Sequence, residues 1–455
     1  MRKGNKRIGM IALAIWPVLL QAQRPDTAAV PVHVFSVQQA VDYGLKNSAQ
    51  VKNALLNVQI QAQTNREITG MAYPQLSANG SITYNAKLPV SLVPAEFLGG
   101  TPGTFAELAF GVKWNATGGV SVSQILFDGQ VFTGLQARKT VMDFASKNVE
   151  VTEEVIKANI YKVYYQLAVS KTQVDLLDAN ISLLAKLEHD TKLMFDNGFA
   201  ERLEVDRATI QLSNLQTERT NVMNQIANGY LGLKVLMGMP VTDSLVLTDT
   251  ISDEQIKTGV LEAWDFDYAQ RKEYQYADLG IKLREYDVQR YKLTKIPTLS
   301  LNGYYNKNAQ RNQFDFFKGG QGRDWFDISA FTLQLNVPIF NGFATNARIA
   351  KARLSLQQSI NEREALKLTI GNEVLTARNN FNSAIANLDR QKRNMELAET
   401  VYDQTKKKYE AGMGAQIEIT TAQTDLKTAQ TNYINALYTA VIARIDFLKA
   451  TGKLQ

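Results

Sequence analysis

Residue types that commonly carry chemistry are sparse in this 455-residue chain. There are two histidines, His33 and His189, and no cysteine. Two imidazoles cannot build a histidine-rich metal site. The missing thiols exclude disulfides, thiolate metal sites, cysteine nucleophiles and an N-terminal lipid-modified cysteine. His189 stands between Glu188 and Asp190 in a helical pattern and reads as an ordinary surface group. No glycine-rich phosphate loop, G-x-S-x-G or H-E-x-x-H occurs. An enzyme would need a clustered acid-base or metal constellation, so no catalytic residue and no cofactor is expected. What does recur is a carboxylate in matched surroundings. Leu203-Glu204-Val205 follows Phe195-Asp196-Asn197-Gly198, and Ile417-Glu418-Ile419 follows Tyr409-Glu410-Ala411-Gly412. On the residues alone, both acids read as helix-start carboxylates favoured by the macrodipole.

These matched acids belong to a larger duplication. Tyr73-Pro74-Gln75-Leu76-Ser77-Ala78-Asn79-Gly80 leads to Phe127-Asp128-Gly129, and Ile296-Pro297-Thr298-Leu299-Ser300-Leu301-Asn302-Gly303 leads to Phe340-Asn341-Gly342. Gly129 to Gly198 is 69 positions and Gly342 to Gly412 is 70, whereas Pro74 to Phe127 is 53 and Pro297 to Phe340 is 43. The variable length falls in a loop, where insertions are tolerated. The constant length identifies an element that spans something.

No proline occurs between Pro102 and Pro240 or after Pro338, and the composition favours helix. Ile156, Ile160, Val163, Leu167, Ser170, Val174, Leu177, Ile181 and Leu184 alternate steps of four and three. This 3.5-residue period is the seam of a left-handed coiled coil. A rod of that length, about 105 Å, needs partners along its seam. Shorter helices are expected from the Ser36-Val37-Gln38-Gln39 capping box to Met71, from Glu201 to Met237, from Ala269 to Lys295 and from Ala415 to Lys449. Gly198 and Gly412 mark the points where the chain doubles back.

Between the helices the period changes to two. Leu76, Ala78, Gly80, Ile82 and Tyr84 alternate with polar residues, as do Phe331, Leu333, Leu335, Val337 and Ile339. Val120 and Val122, and Leu299 and Leu301, begin the other two of four expected strands, in two hairpins. Their outer loops run from about Lys87 to Gly118 and from Lys307 to Ser329. Asp128 and Asn341 are read as the strand-to-helix caps. Four strands cannot close a membrane barrel, so copies of the chain must share one.

The first residues fit export. Arg2, Lys3, Lys6 and Arg7 precede an apolar run from Ile8 to Leu20 and Ala22, the layout of a cleaved signal peptide. Removing those four basic residues lowers the net charge from +6 to +2, which argues against a nucleic-acid partner.

Taken in order, these features from Phe35-Ser36-Val37-Gln38-Gln39-Ala40-Val41 to Gly452 resemble the outer membrane efflux protein family, the TolC-like exit ducts. The resemblance implies a mainly α fold with membrane β. Long coiled-coil helices would form a periplasmic α-barrel, and four strands per chain would enter a shared 12-strand barrel in a homotrimer. It also implies residence in outer-membrane lipid, extension into the periplasm, and contact with a periplasmic adaptor and an inner-membrane transporter. The corresponding boundaries are 1–22 signal peptide, 23–239 first repeat, 240–268 equatorial connecting segment and 269–455 second repeat. In such ducts the inner mouth lies where the helices turn. Residue by residue, this assigns Tyr409, Gly412, Glu418 and, from the first repeat, Glu204 to that mouth. Thr421 stands where a second acidic ring can occur, and Gly414 where an arginine can clamp neighbouring helices. The implied function is passive conduction of small molecules in tripartite efflux. Alternatives are a protein or peptide export duct of the same architecture and a soluble periplasmic coiled-coil scaffold.

Overall fold

The computed structural model describes residues 31–249, 256, 266–321, 324–411 and 413–454. The expected signal peptide, 1–22, lies outside them, as do Gly412 and most of the latter half of the 240–268 segment.

The chain opens with β1 (Val32–Phe35), α1 (Val37–Asn47) and α2 (Ala49–Gly70). Ser36 forms the expected capping box with Gln39. The single helix expected to Met71 is instead two, because Ser48 adopts a non-helical conformation and is buried at the break. There α1 and α2 meet the end of α4 (Arg202–Met237), where Gly238 has φ +72°. A β-carbon on Gly238 would collide with the Asn47 carbonyl, so only glycine permits this approach.

The duplicated rods are α3 (Gly129–Asp196, 68 residues) and α6 (Ala344–Glu410, 67 residues), each roughly 100 Å long at 1.5 Å per residue. Along α3 lie α1, α2 and α4, and along α6 lie α5 (Lys272–Leu293) and α7 (Gln416–Ala450). Among the expected seam residues, Ile156, Ile160, Leu167, Val174, Leu177 and Leu184 are buried. Their burial against the partner helices supplies the apolar contact that a lone rod lacks. Ala269 and Gln270, expected to begin the helix that runs to Lys295, belong instead to a separate 3-10 turn, Tyr268–Gln270, capped by Asp267.

Two unexpected features brace the middle. Val32–Phe35 pairs in parallel with β6 (Ser244–Leu247), joining segments more than 200 residues apart. Above this ribbon Tyr164 is fully buried; its hydroxyl donates to the Phe35 carbonyl at 2.9 Å and accepts from the Asp249 N–H at 3.1 Å. In the second repeat Arg271, 3% exposed, donates to the Ala450 carbonyl at 2.8 Å and pairs with Glu273 and Glu373. Both repeats are thus locked near the helix ends by one buried polar side chain.

At the other end of the rods, β2 (Gln75–Tyr84), β5 (Trp114–Phe127), β7 (Thr298–Arg311) and β8 (Phe326–Asn336) form one antiparallel sheet in the order β2-β5-β7-β8. Trp114, assigned to the loop by sequence, begins β5. The first outer loop also contains its own hairpin, β3 (Val90–Pro94) with β4 (Phe105–Ala109). β8 stops at Asn336, three residues before the expected Ile339, because Pro338 has no N–H to donate. One rung aligns Leu76, Val122, Gly303 and Phe331; the adjacent rung aligns Ser77, Ser121, Tyr304 and Ala330. The sheet therefore has an apolar face and a polar face. Leu76 and Phe331 are 75% and 79% exposed, and β2 and β8 are unpaired edges.

Candidate functional site

The two helical turns form one end of the molecule. In the first, Gly198 has φ +79° and donates to the Phe195 carbonyl at 3.0 Å, while Phe199 donates to Met194 at 2.8 Å. These bonds satisfy terminal carbonyls of α3 and reverse the chain. Glu201 is the N-cap of α4, and Glu204 lies in its first turn. In the second, the Met413 N–H donates to the Lys408 carbonyl at 3.0 Å, Ala415 is the N-cap of α7, and Glu418 lies in its first turn. A β-carbon at Gly414 would sit 3.2 Å from the Tyr409 backbone nitrogen. A larger residue there would need a shift of a few tenths of an ångström in the turn.

The turns also touch one another. The Gln416 amide Nε2 donates to Thr191 Oγ1 of α3 at 3.3 Å and to the Glu204 carbonyl at 3.5 Å. Tyr409 Oη donates to Met194 Sδ at 3.8 Å. Burial first, and then the negative charge of Glu204, raises the Tyr409 phenol above its ordinary value, against a lowering hydrogen bond from Thr191. Tyr409 packs beside the buried Tyr402, Ile419, Ala422 and Leu426, with Leu183 and Leu187 reaching in from α3. It is a packing aromatic with a polar tip at the contact between hairpins.

Glu418 is placed differently. Its Oε2 is 3.1 Å from Lys408 Nζ across the turn, and both side chains are about half-exposed. Such a pair contributes little to stability, about 0–1 kcal/mol. It does offset part of the carboxylate's field. The Thr421 hydroxyl donates to the Ile417 carbonyl on its own helix at 2.8 Å. Thus Glu204, Tyr409 and Gln416 come together, while Glu418 and Lys408 form a separate exposed group.

Apolar periodicity passed over a polar ladder on α7. Gln416, Gln423 and Gln430 recur every seven residues, and Asn180 Nδ2 donates to Gln430 Oε1 at 2.7 Å. Gln423 is 7% exposed, and neither of its amide atoms has a partner. It lines a cavity of about 250 Å³ with Asn180, Leu184 and Leu215. Lys427 pairs with Glu218 nearby. The seven-residue recurrence was visible in the sequence, but a search for apolar positions cannot register it.

At the opposite end of the rods, the Asp128 carboxylate accepts from the Gln130 N–H at 2.8 Å as N-cap of α3. Asn341 does not occupy the corresponding position. The N-cap of α6 is Phe343, at φ +63°, and Asn341 reaches forward to Thr345 instead. The turn Asn341-Gly342-Phe343 delays the helix by two residues relative to the first repeat. Among the described residues, no group of histidine or carboxylate side chains could hold a metal ion.

Residues 268–453 match the model of the outer membrane efflux protein family. The toluene efflux pump outer membrane protein TtgC of Pseudomonas putida is 22% identical over 96% of this chain and 88% of its own length. Outer membrane protein TolC of Escherichia coli is 20% identical over 76% of this chain and 71% of its own. A solved structure of CusC, described in terms of folding and transmembrane channel formation, covers 91% of both chains with a TM-score of 0.74 at 16% identity.

Proposed function

Because the chain belongs to the outer membrane efflux protein family, we propose that three copies assemble into the outer-membrane exit duct of a tripartite efflux system, passively conducting small molecules from an inner-membrane transporter and adaptor. The protein resides in the outer membrane and extends into the periplasm. The observation that carries the trimeric reading is the four-stranded sheet, with two unpaired edges, continuous with rods of about 100 Å. An exposed edge is untenable in hydrocarbon, and pairing β8 of one copy with β2 of the next removes it. Three chains give 12 strands, enough for an open lumen. The apolar sheet face then meets lipid and the polar face lines the channel. The family is a transport family, and the reading requires no catalytic group. We read 23–239 and 269–455 as its two repeats and 240–268 as the segment joining them.

The helical turns form the periplasmic mouth in this reading. Carboxylates from three chains focus a negative potential in a narrow lumen. Glu418 is the more exposed acid, and its field is moderated by Lys408. Planar-bilayer recordings test this arrangement. Glu418→Gln should weaken both cation preference and block by divalent ions added from the mouth side, with a smaller change of the same sign for Glu204→Gln. Lys408→Gln should strengthen both by freeing the Glu418 charge. Unchanged selectivity and block in all three variants would remove these residues from the mouth.

A further inference from the structure

The delayed start of α6 leaves a cavity of about 240 Å³ at the joint between sheet and rods. Its walls combine Lys295 and Asn346 with Pro338, Ile339, Phe340 and Phe343. Three of these apolar residues are unusually open: Ile339 is 92% exposed, Phe340 74% and Phe343 69%. They continue the apolar face of β8, where Leu333 and Leu335 are also exposed. The Phe340 and Phe343 rings stand edge to face at 5.3 Å; in the outer-membrane reading they fall at the level where aromatic side chains collect at a membrane interface.

Charge gives this joint a second, independent property. Lys292 lies in the last turn of α5 and Lys295 just beyond its end, and Arg348, Lys351 and Arg353 occupy the first turns of α6. All five are exposed, and none forms an ion pair or a side-chain hydrogen bond among the described residues. No acidic residue occurs from Ala344 to Asn361. The first repeat differs, with the carboxylate of Asp128 where the second has the neutral Asn341. An anion is therefore favoured at the second joint and opposed at the first.

From this juxtaposition we propose that the second strand-to-helix joint binds the anionic headgroup of a glycerophospholipid from the periplasmic leaflet. Lys295 meets the phosphate, Asn346 donates to the headgroup, and Ile339 and Phe340 lie along the first segment of an acyl chain. The proposal rests on the outer-membrane reading only in placing β8 against lipid. A bound phospholipid would fix the depth of the barrel through contacts made by the chain itself. Basic residues near a bilayer surface each strengthen attachment to anionic lipid.

The test uses full-length detergent-purified protein, titrated with phosphatidylglycerol or phosphatidylcholine and analysed by native mass spectrometry, with planar-bilayer conductance measured in parallel. One phosphatidylglycerol per chain should be retained in preference to phosphatidylcholine. Replacing Lys295 with Gln should weaken retention about fivefold, and the Lys292→Gln/Lys295→Gln double variant about 25-fold, from the attraction per basic residue. Lys139→Gln, in the first repeat, should leave retention unchanged. Equal retention of both lipids, undiminished phosphatidylglycerol binding by the double variant, or displacement of the lipid by equimolar inorganic phosphate would each overturn the site. Because conductance is read separately, loss of the lipid site with channels intact is distinguishable from failure of the duct reading.

Discussion

Gln423 offers a direct test of how the two helical hairpins hold together near their turns. Its amide is nine-tenths buried between Gln416 and Gln430, both of which have partners on α3, and has none itself. A buried polar group without a hydrogen bond costs about 1–3 kcal/mol. The surrounding cavity, at about 250 Å³, has room for water to satisfy the amide, which puts the cost nearer the low end. Gln423→Leu keeps the approximate volume, removes the unpaired group and adds contact with Leu184 and Leu215. The contact of α7 with α3 and α4 should therefore tighten by about 1 kcal/mol per chain, roughly fivefold in the population of separated hairpins. Hydrogen exchange of amides around residues 416–430 should slow by about that factor. Gln423→Glu, which buries a charge beside the same leucines, should accelerate it. Unchanged or faster exchange in Gln423→Leu would refute the reasoning.

The middle of the molecule yields two further predictions. Arg271→Ala strands Glu273 and leaves the Ala450 carbonyl without its donor, so thermal or denaturant unfolding should show a loss of about 3–5 kcal/mol. Glu154 behaves in the opposite sense: burial first, and then Glu273, raises its carboxyl above the ordinary value. The folded state thus holds that proton more tightly than the unfolded chain, and stability falls as pH rises through the window between the unfolded and folded values. Glu154→Gln should melt above the parent at about pH 7, with the advantage disappearing below about pH 4, where both states of the parent are protonated. An advantage independent of pH would remove the titration argument.

The rods, the four strands and their order in two copies were legible because each has a period: 3.5 along Ile156 to Leu184, and two along Leu76 to Tyr84. Elements without a repeated period were not legible. β1 is four residues long and makes sense only once Ser244–Leu247 lies beside it. The break at Ser48 is set by Gly238 meeting Asn47, a contact nearly 200 residues distant in sequence. Local resemblance misled at Asn341, since Asp-Gly and Asn-Gly look equivalent until Phe343 takes the cap position at positive φ. At the helical turns, spacing within each repeat located Glu204 and Glu418 in matched positions. It could not disclose that Gln416 bridges the repeats or that Lys408 accompanies Glu418, because those contacts depend on how two hairpins pack.

The central claim is that a sheet with two open edges becomes a closed channel only by sharing strands between copies. Mass measurement of the full-length protein extracted from outer membranes in detergent tests it most directly. The account predicts a complex of three chains whose addition to a planar bilayer gives discrete conductance steps. A stable single chain that conducts by itself would contradict it, since four strands provide no closed lumen.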